Sequence, residues 1–349
     1  MSHGYKTVQW TPFKKRFDVV LVLCILLFLA VFVATSYLVF APGQAMTEVQ
    51  VLMRAFGTGA FGLLALILAI GPLARLSTRF LPLLYNRRHL GVACFILALV
   101  HAILAFVWYQ GFSDVNPFLA LLISNPRYQS IGGFPFEILG VGALLVLYVM
   151  AATSHDFWNS NLGPWLWKTL HMLVYAAFVL LVAHVALGVI QYERSPIYIL
   201  LLAGAVIGMS ALHILTGNRE AAIDRTPGSQ SADGWLTVGA AMDIPDNRAR
   251  IVVPKRGERI AVFRYGNRVS AVSNVCRHQG GPLGEGKIID GCITCPWHGF
   301  QYLPENGTSP PPFAEKIATY RTKIVDGVVF VHVKAMAPGT PVSPSLIEA

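Results

Sequence analysis

The sequence predicts a multi-domain protein, an all-α six-helix transmembrane bundle followed by an all-β domain. Three observations lead there. In the first two-thirds of the 349 residues, six apolar stretches approach or exceed the roughly 20 residues that a helix needs to cross a bilayer. After Gly217 the composition changes abruptly: "GNREAAIDRTPGSQSAD" is polar, carries Pro, Gly and Ser, and reads as a linker. From Gly234 onward short β-type runs take over, among them "WLTVG", "RIVVP", "RIAVFRYG", "RVSAVS" and "IVDGVVFVHV", with Gly, Asn and Asp turns between them. The predicted organisation is a tail at 1–17, a membrane domain at 18–216, a linker at 217–233, a β domain at 234–335 and a C-terminal tail at 336–349.

The first apolar stretch, 18–40, follows Lys14, Lys15 and Arg16. It is too long for the core of a cleavable signal peptide and is expected to be the first membrane helix. The others run over 51–72, 89–109, 131–152, 168–190 and 197–216, and 110–130 is the longest loop between them. Lys6, Lys14, Lys15, Arg16, Arg75, Arg79, Arg87, Arg88, Lys168, Arg219 and Arg225 fall on one side of the membrane. Only Arg54, Arg127 and Arg194 fall on the other. Positive residues collect on the inner side, so both termini are expected in the cytoplasm. The topology suits a multi-pass protein of a bacterial inner (plasma) membrane. A composition that is 54% hydrophobic and 13% charged excludes an ordinary soluble protein. The net charge of +9 is assigned largely to membrane orientation, and no nucleic-acid partner is expected.

Within the β domain two loops carry metal-ligand chemistry. "CRHQGGPLGEG" offers Cys276 and His278, and "CPWHGFQY" offers Cys295 and His298. Two Cys and two neutral His suit tetrahedral zinc. The surroundings favour instead the [2Fe–2S] centre in which two Cys hold one iron and two His the other, since each loop brings one of each. Gly280, Gly281 and Gly284 permit close backbone approach, while Pro282 and Pro296 stiffen the loops. Cys292 fits no ligand position and is expected to be a core thiol.

The two loops resemble those of Rieske ferredoxins and of the Rieske domains of oxygenases, over about residues 234–335. The resemblance implies that Cys276 and Cys295 bind one iron and His278 and His298 the other. Rieske proteins of the quinol-oxidising cytochrome complexes have an extra Cys in each loop, joined as a disulfide. Gly281 and Trp297 stand at those places here. Those proteins also present a Ser hydroxyl where this chain has Phe300, although Tyr302 is retained. Fewer hydrogen bonds to the cluster stabilise the reduced form less, so a potential in the lower half of the range of about −150 to +300 mV is expected.

Ionisable residues inside membrane spans are functional candidates by default. His101 lies in the third span, His171 and His184 in the fifth and His213 in the sixth, with His89 at the mouth of the third. At 1.5 Å per residue, His101 lies about 18 Å in from His89, and His184 about 20 Å beyond His171. His101 and His184 therefore share the outer half, where a b-type haem takes one His from each helix; His171 and His213 share the inner depth. Thirteen steps of about 100° put His171 and His184 about 140° apart on one ideal helix, so one haem or two remains open.

"RRHLGVACFILALVHAIL", "AATSHDFWNSNLGPWLWKTLHMLVY" and "LLVAHVALG" resemble the ferric-reductase-like transmembrane domain over about residues 20–215. That family includes NADPH oxidases, ferric reductases and the haem-binding membrane subunit of the periplasmic methionine sulfoxide reductase system, the last being most similar. The resemblance implies that His101, His171 and His184 are haem ligands. The oxidases' second His in the third helix is replaced here by "AFVWYQ".

The expected function is single-electron transfer between a cytoplasmic Rieske [2Fe–2S] cluster and membrane haem b, toward a periplasmic acceptor protein or small acceptor. No G-x-G-x-x-G fingerprint follows a strand, so the donor is expected to be a separate cytoplasmic ferredoxin or reductase, or quinol. Whether the chain is itself an oxidoreductase of the ferric-reductase-like kind or a relay component stays open. A Rieske-dependent membrane oxygenase would need a mononuclear iron on two His and a carboxylate. The sixteen residues after Val333 hold neither His nor Asp. A quinol-linked redox sensor is the third class.

Overall fold

Helices in lipid need no polar face, and the long described helices of the N-terminal region are apolar over most of their length. In the computed structural model, residues 12–39, 46–80, 83–84, 86–111, 114–123, 134–154, 158, 162, 164–192, 196–225, 228–278, 280–297, 299–311 and 313–347 are described. They divide into two units, Trp10–Ile214 and Leu215–Ala349.

In the first unit, α1 (Pro12–Val39) exposes Val19, Leu23, Leu27 and Leu38 along its length. Next comes α2 (Glu48–Leu76), which starts at a capping box. The Thr47 hydroxyl accepts the Gln50 N–H, and the Gln50 side chain accepts the Thr47 N–H, satisfying two donors that the first turn leaves open. Its Val51, Ala55, Leu64 and Ile70 turn inward. Then follow α3 (Arg87–Gln110), the short α4 (Pro117–Ile123), α5 (Phe136–Ala152), α6 (Pro164–Met172), α7 (Val174–Leu187), α8 (Val189–Tyr192) and α9 (Pro196–Arg225). The principal packings are α2 on α3, α5 on α7, α3 on α5 and α1 on α2. His89, at the entry of α3, meets Asp18 of α1 with Nδ1 and Oδ1 2.6 Å apart.

Among the described residues, five helical segments are long and apolar enough to cross a membrane: Lys14–Leu38, Glu48–Leu76, Arg87–Gln110, Leu166–Gln191 and Pro196–Arg225. The fourth apolar stretch yields α5, which at 17 residues is shorter. The fifth span is not one regular helix. At its first break the Leu173 N–H reaches back three residues to the Leu170 carbonyl at 3.2 Å. That bond is of the tighter 3₁₀ kind, which advances the chain about 120° per residue rather than 100°. His171 and His184 lie on either side of it, so their angular relation is not that of one ideal helix.

The second unit holds the β domain. One antiparallel sheet orders β1 (Trp235–Ala240), β10 (Val328–His332) and β9 (Thr322–Val325), with a register shift between Thr237 and Gly239. A second orders β11 (Ser345–Leu346), β4 (Arg268–Ser273), β3 (Ile260–Tyr265) and β2 (Arg248–Val252), with β8 (Thr319–Tyr320) also paired to β4. A third orders β5 (Lys287–Ile289), β6 (Cys292–Thr294) and β7 (Gln301–Tyr302). Asp326-Gly327 and Asp290-Gly291 close two-residue hairpins with positive φ at both positions, the conformation whose twist matches paired strands. Leu236, Ile244, Ile260, Val262, Val329 and Val331 fill one core between the first two sheets. A second core of Phe263, Val272, Leu283, Ile293, Tyr302 and Ile317 includes Cys276 and Cys295. In the same unit Arg259 reaches the last turns of α9. Its Nη1 donates to Glu220 Oε2 and its Nε to Asp224 Oδ1, both at 2.6 Å.

Candidate functional site

The third sheet presents two loops side by side, one between β4 and β5 and one between β6 and β7. They share a single hydrogen-bond frame. The Cys276 carbonyl accepts the Gly280 N–H at 2.7 Å, and the Cys276 N–H donates to the Gly281 carbonyl at 2.9 Å. In the second loop the Cys295 carbonyl accepts the Gly299 N–H at 3.0 Å, and the Cys295 N–H donates to the Phe300 carbonyl at 2.8 Å. Gly280 and Gly299 both have positive φ, +75° and +72°, which a Cβ would strain. Each Cys thus occupies the same corner of its loop. His278 is buried at 6% exposure. His298 lies outside the described residues.

Cys276 and Cys295 are both 1% exposed. The loops meet at Gly281, where a Cβ would stand 2.7 Å from Cys295 Sγ and 3.2 Å from the Trp297 ring. Gly281 and Trp297, the places at which a loop-to-loop disulfide would stand, are therefore neighbours, and none of the five cysteines is joined in a disulfide. Tyr302 is fully buried; its hydroxyl lies 3.4 Å from Cys276 Sγ and accepts the Arg277 N–H at 3.1 Å. Burial foremost, and then the neighbouring Cys276 and Cys295 sulfurs, hold its phenol well above the ordinary value, so it stays a donor. The donor set, the two buried thiols and the absence of a side chain at Gly281 fit a [2Fe–2S] cluster, which Cys276, His278 and Cys295 with the second loop's His298 would hold. Bound there, such a cluster supplies a one-electron site.

Phe300 stacks on His278 with ring centroids 4.8 Å apart and planes at 9°, and it is backed by Phe313 at 4.9 Å. The side chain at 300 therefore gives the loop an aromatic wall where a hydroxyl would give a hydrogen bond. Cys292 is 1% exposed, and burial, helped by the charge of Asp290, raises its thiol above the ordinary value. Tyr302→Phe removes a donor aimed at a sulfur whose negative charge grows on reduction. A differential of about 1–1.4 kcal/mol lies within the net worth of a typical hydrogen bond, about 0.5–1.5 kcal/mol. With a tenfold change equal to about 59 mV for one electron, the potential is expected to fall by about 40–60 mV, read by EPR-monitored redox titration.

In the helical unit the structure brings two of the four singled-out histidines together. The rings of His101 (α3) and His184 (α7) lie with centroids 6.3 Å apart and planes at 84°. Each donates Nδ1–H to a backbone carbonyl of another helix, His101 to Met53 at 2.8 Å and His184 to Phe136 at 2.9 Å. A ring held by Nδ1 presents its Nε2 lone pair, the usual arrangement of a metal-binding His. His171 lies elsewhere. It donates Nδ1–H to the Trp167 carbonyl at 2.9 Å, stacks on the Trp167 indole at 3.5 Å, and its Nε2 is buried with no hydrogen-bond partner among the described residues. The Arg88 guanidinium sits over the same indole at 5.8 Å. His213 donates to the Met209 carbonyl at 3.0 Å, and its Nε2 meets the Tyr175 hydroxyl at 3.3 Å. The Met53 and Phe136 carbonyls escaped the reading of the sequence, because a main-chain acceptor has no residue signature. Two neighbouring imidazoles with both Nδ1 atoms engaged are residues that could hold a haem, which when bound would supply a second one-electron site.

Two family models match the chain, each over one of the two regions. "Ferric reductase like transmembrane component" matches residues 56–182, and "Rieske [2Fe-2S] domain" matches residues 234–321. The anthranilate 1,2-dioxygenase ferredoxin subunit of Burkholderia cepacia is 36% identical over 104 residues, 28% of this chain and 92% of that protein. The protein-methionine-sulfoxide reductase heme-binding subunit MsrQ of Caulobacter vibrioides is 31% identical over 175 residues, 49% of this chain and 78% of that protein. MsrQ of Herminiimonas arsenicoxydans is 32% identical over 144 residues, 41% of this chain and 58% of that protein. Matches of this extent join two families in one sequence: the chain belongs to the ferric reductase-like transmembrane family through its helical region and to the Rieske [2Fe–2S] domain family through its β domain.

Proposed function

We propose that this protein carries single electrons between a cytoplasmic Rieske [2Fe–2S] centre and b-type haem in the membrane, toward an acceptor on the periplasmic side. Membership of the two families supports membrane electron transfer as the general role. The observation that carries the haem part is the His101–His184 pair. Two imidazoles from different helices face one another across 6.3 Å, each with Nδ1 committed to a carbonyl. That separation leaves room for one metal atom bonded to both Nε2 atoms at about 2 Å, as imidazole–metal bonds require. The MsrQ relatives are named heme-binding subunits, which supports the same reading.

In this reading Cys276 and Cys295 hold one iron, His278 and His298 the other, and Tyr302 stabilises added negative charge on the Cys276 side. His101 and His184 hold the outer haem, and His171 and His213 are the residues available to an inner one. Six spans cross an inner (plasma) membrane: α1, α2, α3, α5, α6–α8 together, and α9. Both termini are cytoplasmic, on the strength of the Lys and Arg distribution. The donor is a cytoplasmic ferredoxin or reductase, or quinol, and the acceptor is a periplasmic protein or small oxidant.

The test is a reduced-minus-oxidised visible spectrum with parallel EPR on the purified full-length protein. A b-type haem band together with a Rieske signal is expected. Protein that carries the Rieske signal but binds no haem sinks the relay.

A further inference from the structure

We propose that Gly57 and Gly140 are positioning residues for the haem ligands, each opening a notch in one helix into which an imidazole from another helix seats. The inference rests on the haem reading of His101 and His184. These two histidines belong to different helices, yet they are held in the same way. His101 donates Nδ1–H to the Met53 carbonyl of α2. Four residues on from Met53 stands Gly57, where a Cβ would lie 2.8 Å from His101 Nδ1 and 3.0 Å from its Cε1. His184 donates Nδ1–H to the Phe136 carbonyl of α5. Four residues on from Phe136 stands Gly140, where a Cβ would lie 2.9 Å from both His184 Nδ1 and Cε1.

Helix geometry explains why the spacing is four in both. The carbonyl of residue i is already bonded to the N–H of residue i+4, so a second donor must come in beside that residue. The Cα–Cβ bond at i+4 tilts toward the helix N-terminus and therefore leans over the carbonyl of i. Any side chain there covers the approach, and hydrogen leaves it open. A glycine four residues after the accepting carbonyl is thus what allows a ring from outside to reach it. The notch fixes which nitrogen carries the proton and the plane of the ring, leaving Nε2 unprotonated. Outer contacts of this kind are worth about 10–100-fold in metal affinity.

The arrangement is selective among the glycines of these helices. On α2, a Cβ at Gly62 or Gly71 would meet nothing within 4 Å, and one at Gly59 would meet Phe28. On α5, a Cβ at Gly142 would meet only Leu180, at an ordinary 3.5 Å. Of these six glycines, Gly57 and Gly140 alone face an imidazole.

The experiment compares Gly57→Ala and Gly140→Ala with the controls Gly62→Ala, Gly71→Ala and Gly142→Ala in the full-length protein. The readouts are haem per Rieske centre after purification and the EPR signature of the haem iron. A methyl at 57 or 140 must push the ring by several tenths of an ångström and away from its carbonyl. Each of the two test variants is expected to lose haem tenfold or more, or to exchange the bis-imidazole low-spin signature for a high-spin one. The Rieske signal and all three controls are expected to stay as in the wild type. Should Gly57→Ala fail to accumulate, it is combined with His101→Ala. Recovery of yield to that of His101→Ala alone locates the clash at the ring, as expected, and no recovery overturns the notch. Wild-type protein that contains no haem would remove the haem reading itself. Haem-loaded wild type beside Gly57→Ala and Gly140→Ala proteins of unchanged haem content and signature overturns the notch alone.

Discussion

Gly281→Ala protein is expected to lose most of its Rieske EPR signal while keeping its visible haem spectrum. The added methyl would stand 2.7 Å from Cys295 Sγ, whereas ordinary contact begins near 3.4 Å. The sulfur has no easy retreat. Cys295 is 1% exposed, and its loop is pinned by the bonds from Cys295 N–H to Phe300 and from Gly299 N–H to Cys295. On the other side the methyl meets the Trp297 ring at 3.2 Å. A shift of about 0.7 Å exceeds the tolerance of about 0.5 Å within which a metal-binding constellation works. Gly281 is not among the glycines with positive φ, so alanine adds no backbone strain there and the effect isolates the steric term. The loss of cluster occupancy is expected at about 10–100-fold, the range for disturbing the surroundings of metal ligands. Gly291→Ala supplies the contrast. Its φ of +77° makes alanine cost about 1–2 kcal/mol of strain, but nothing lies within 4 Å of the new methyl. That variant is expected to be somewhat less stable and fully loaded. Iron and acid-labile sulfide content, with EPR of the reduced protein, decides the matter. A wild-type signal from Gly281→Ala means that the space is not needed.

What the sequence made legible follows from what is local in the chain. Apolar runs report on lipid exposure residue by residue, so the helical region and the β domain could be told apart, although α9 runs on to Arg225, past the composition change at Gly217. The paired Cys and His were equally plain, since each ligand pair lies within one loop. Long-range features were not legible. The interruption at Leu173 leaves no mark on a run of apolar residues, because both the 3₁₀ bond and the α bond are made by the main chain. Counting rise per residue could bring His101 and His184 to one depth, since that count needs only the helix pitch. It could not reach the Met53 and Phe136 carbonyls, which lie 48 residues from their histidines in sequence. Nor could it reach the contact of His89, at the mouth of α3, with Asp18, 71 residues earlier. Phe300 illustrates a third kind of limit. The missing hydroxyl could be read from the residue type, but the parallel stack on His278 depends on how two loops fold together.

His101→Ala and His184→Ala are expected to give the same defect, and the double substitution is expected to be no worse than either one. Two ligands of one iron act as a unit, and residues that act as a unit are not additive. With one ring gone the partner keeps its carbonyl, His101 on Met53 or His184 on Phe136, but faces an open position. The haem assigned to this pair should therefore disappear from the purified protein, or change from six-coordinate to high-spin, equally in both variants. The Rieske signal should persist, because the loops of Cys276 and Cys295 are built from bonds internal to residues 274–302 and from the core around Tyr302. Alanine at 184 vacates a space bounded by the backbone at Gly140, so added imidazole is expected to restore the spectrum in part. His171→Ala and His213→Ala form the comparison. Their rings rest on Trp167 and Tyr175, away from the His101–His184 pair, and neither substitution should move the spectrum of the haem lost in His184→Ala. If His184→Ala loses haem while His101→Ala retains it unchanged, the two rings do not share an iron. His184 must then be matched with another ligand, and the 6.3 Å approach of the rings becomes packing alone.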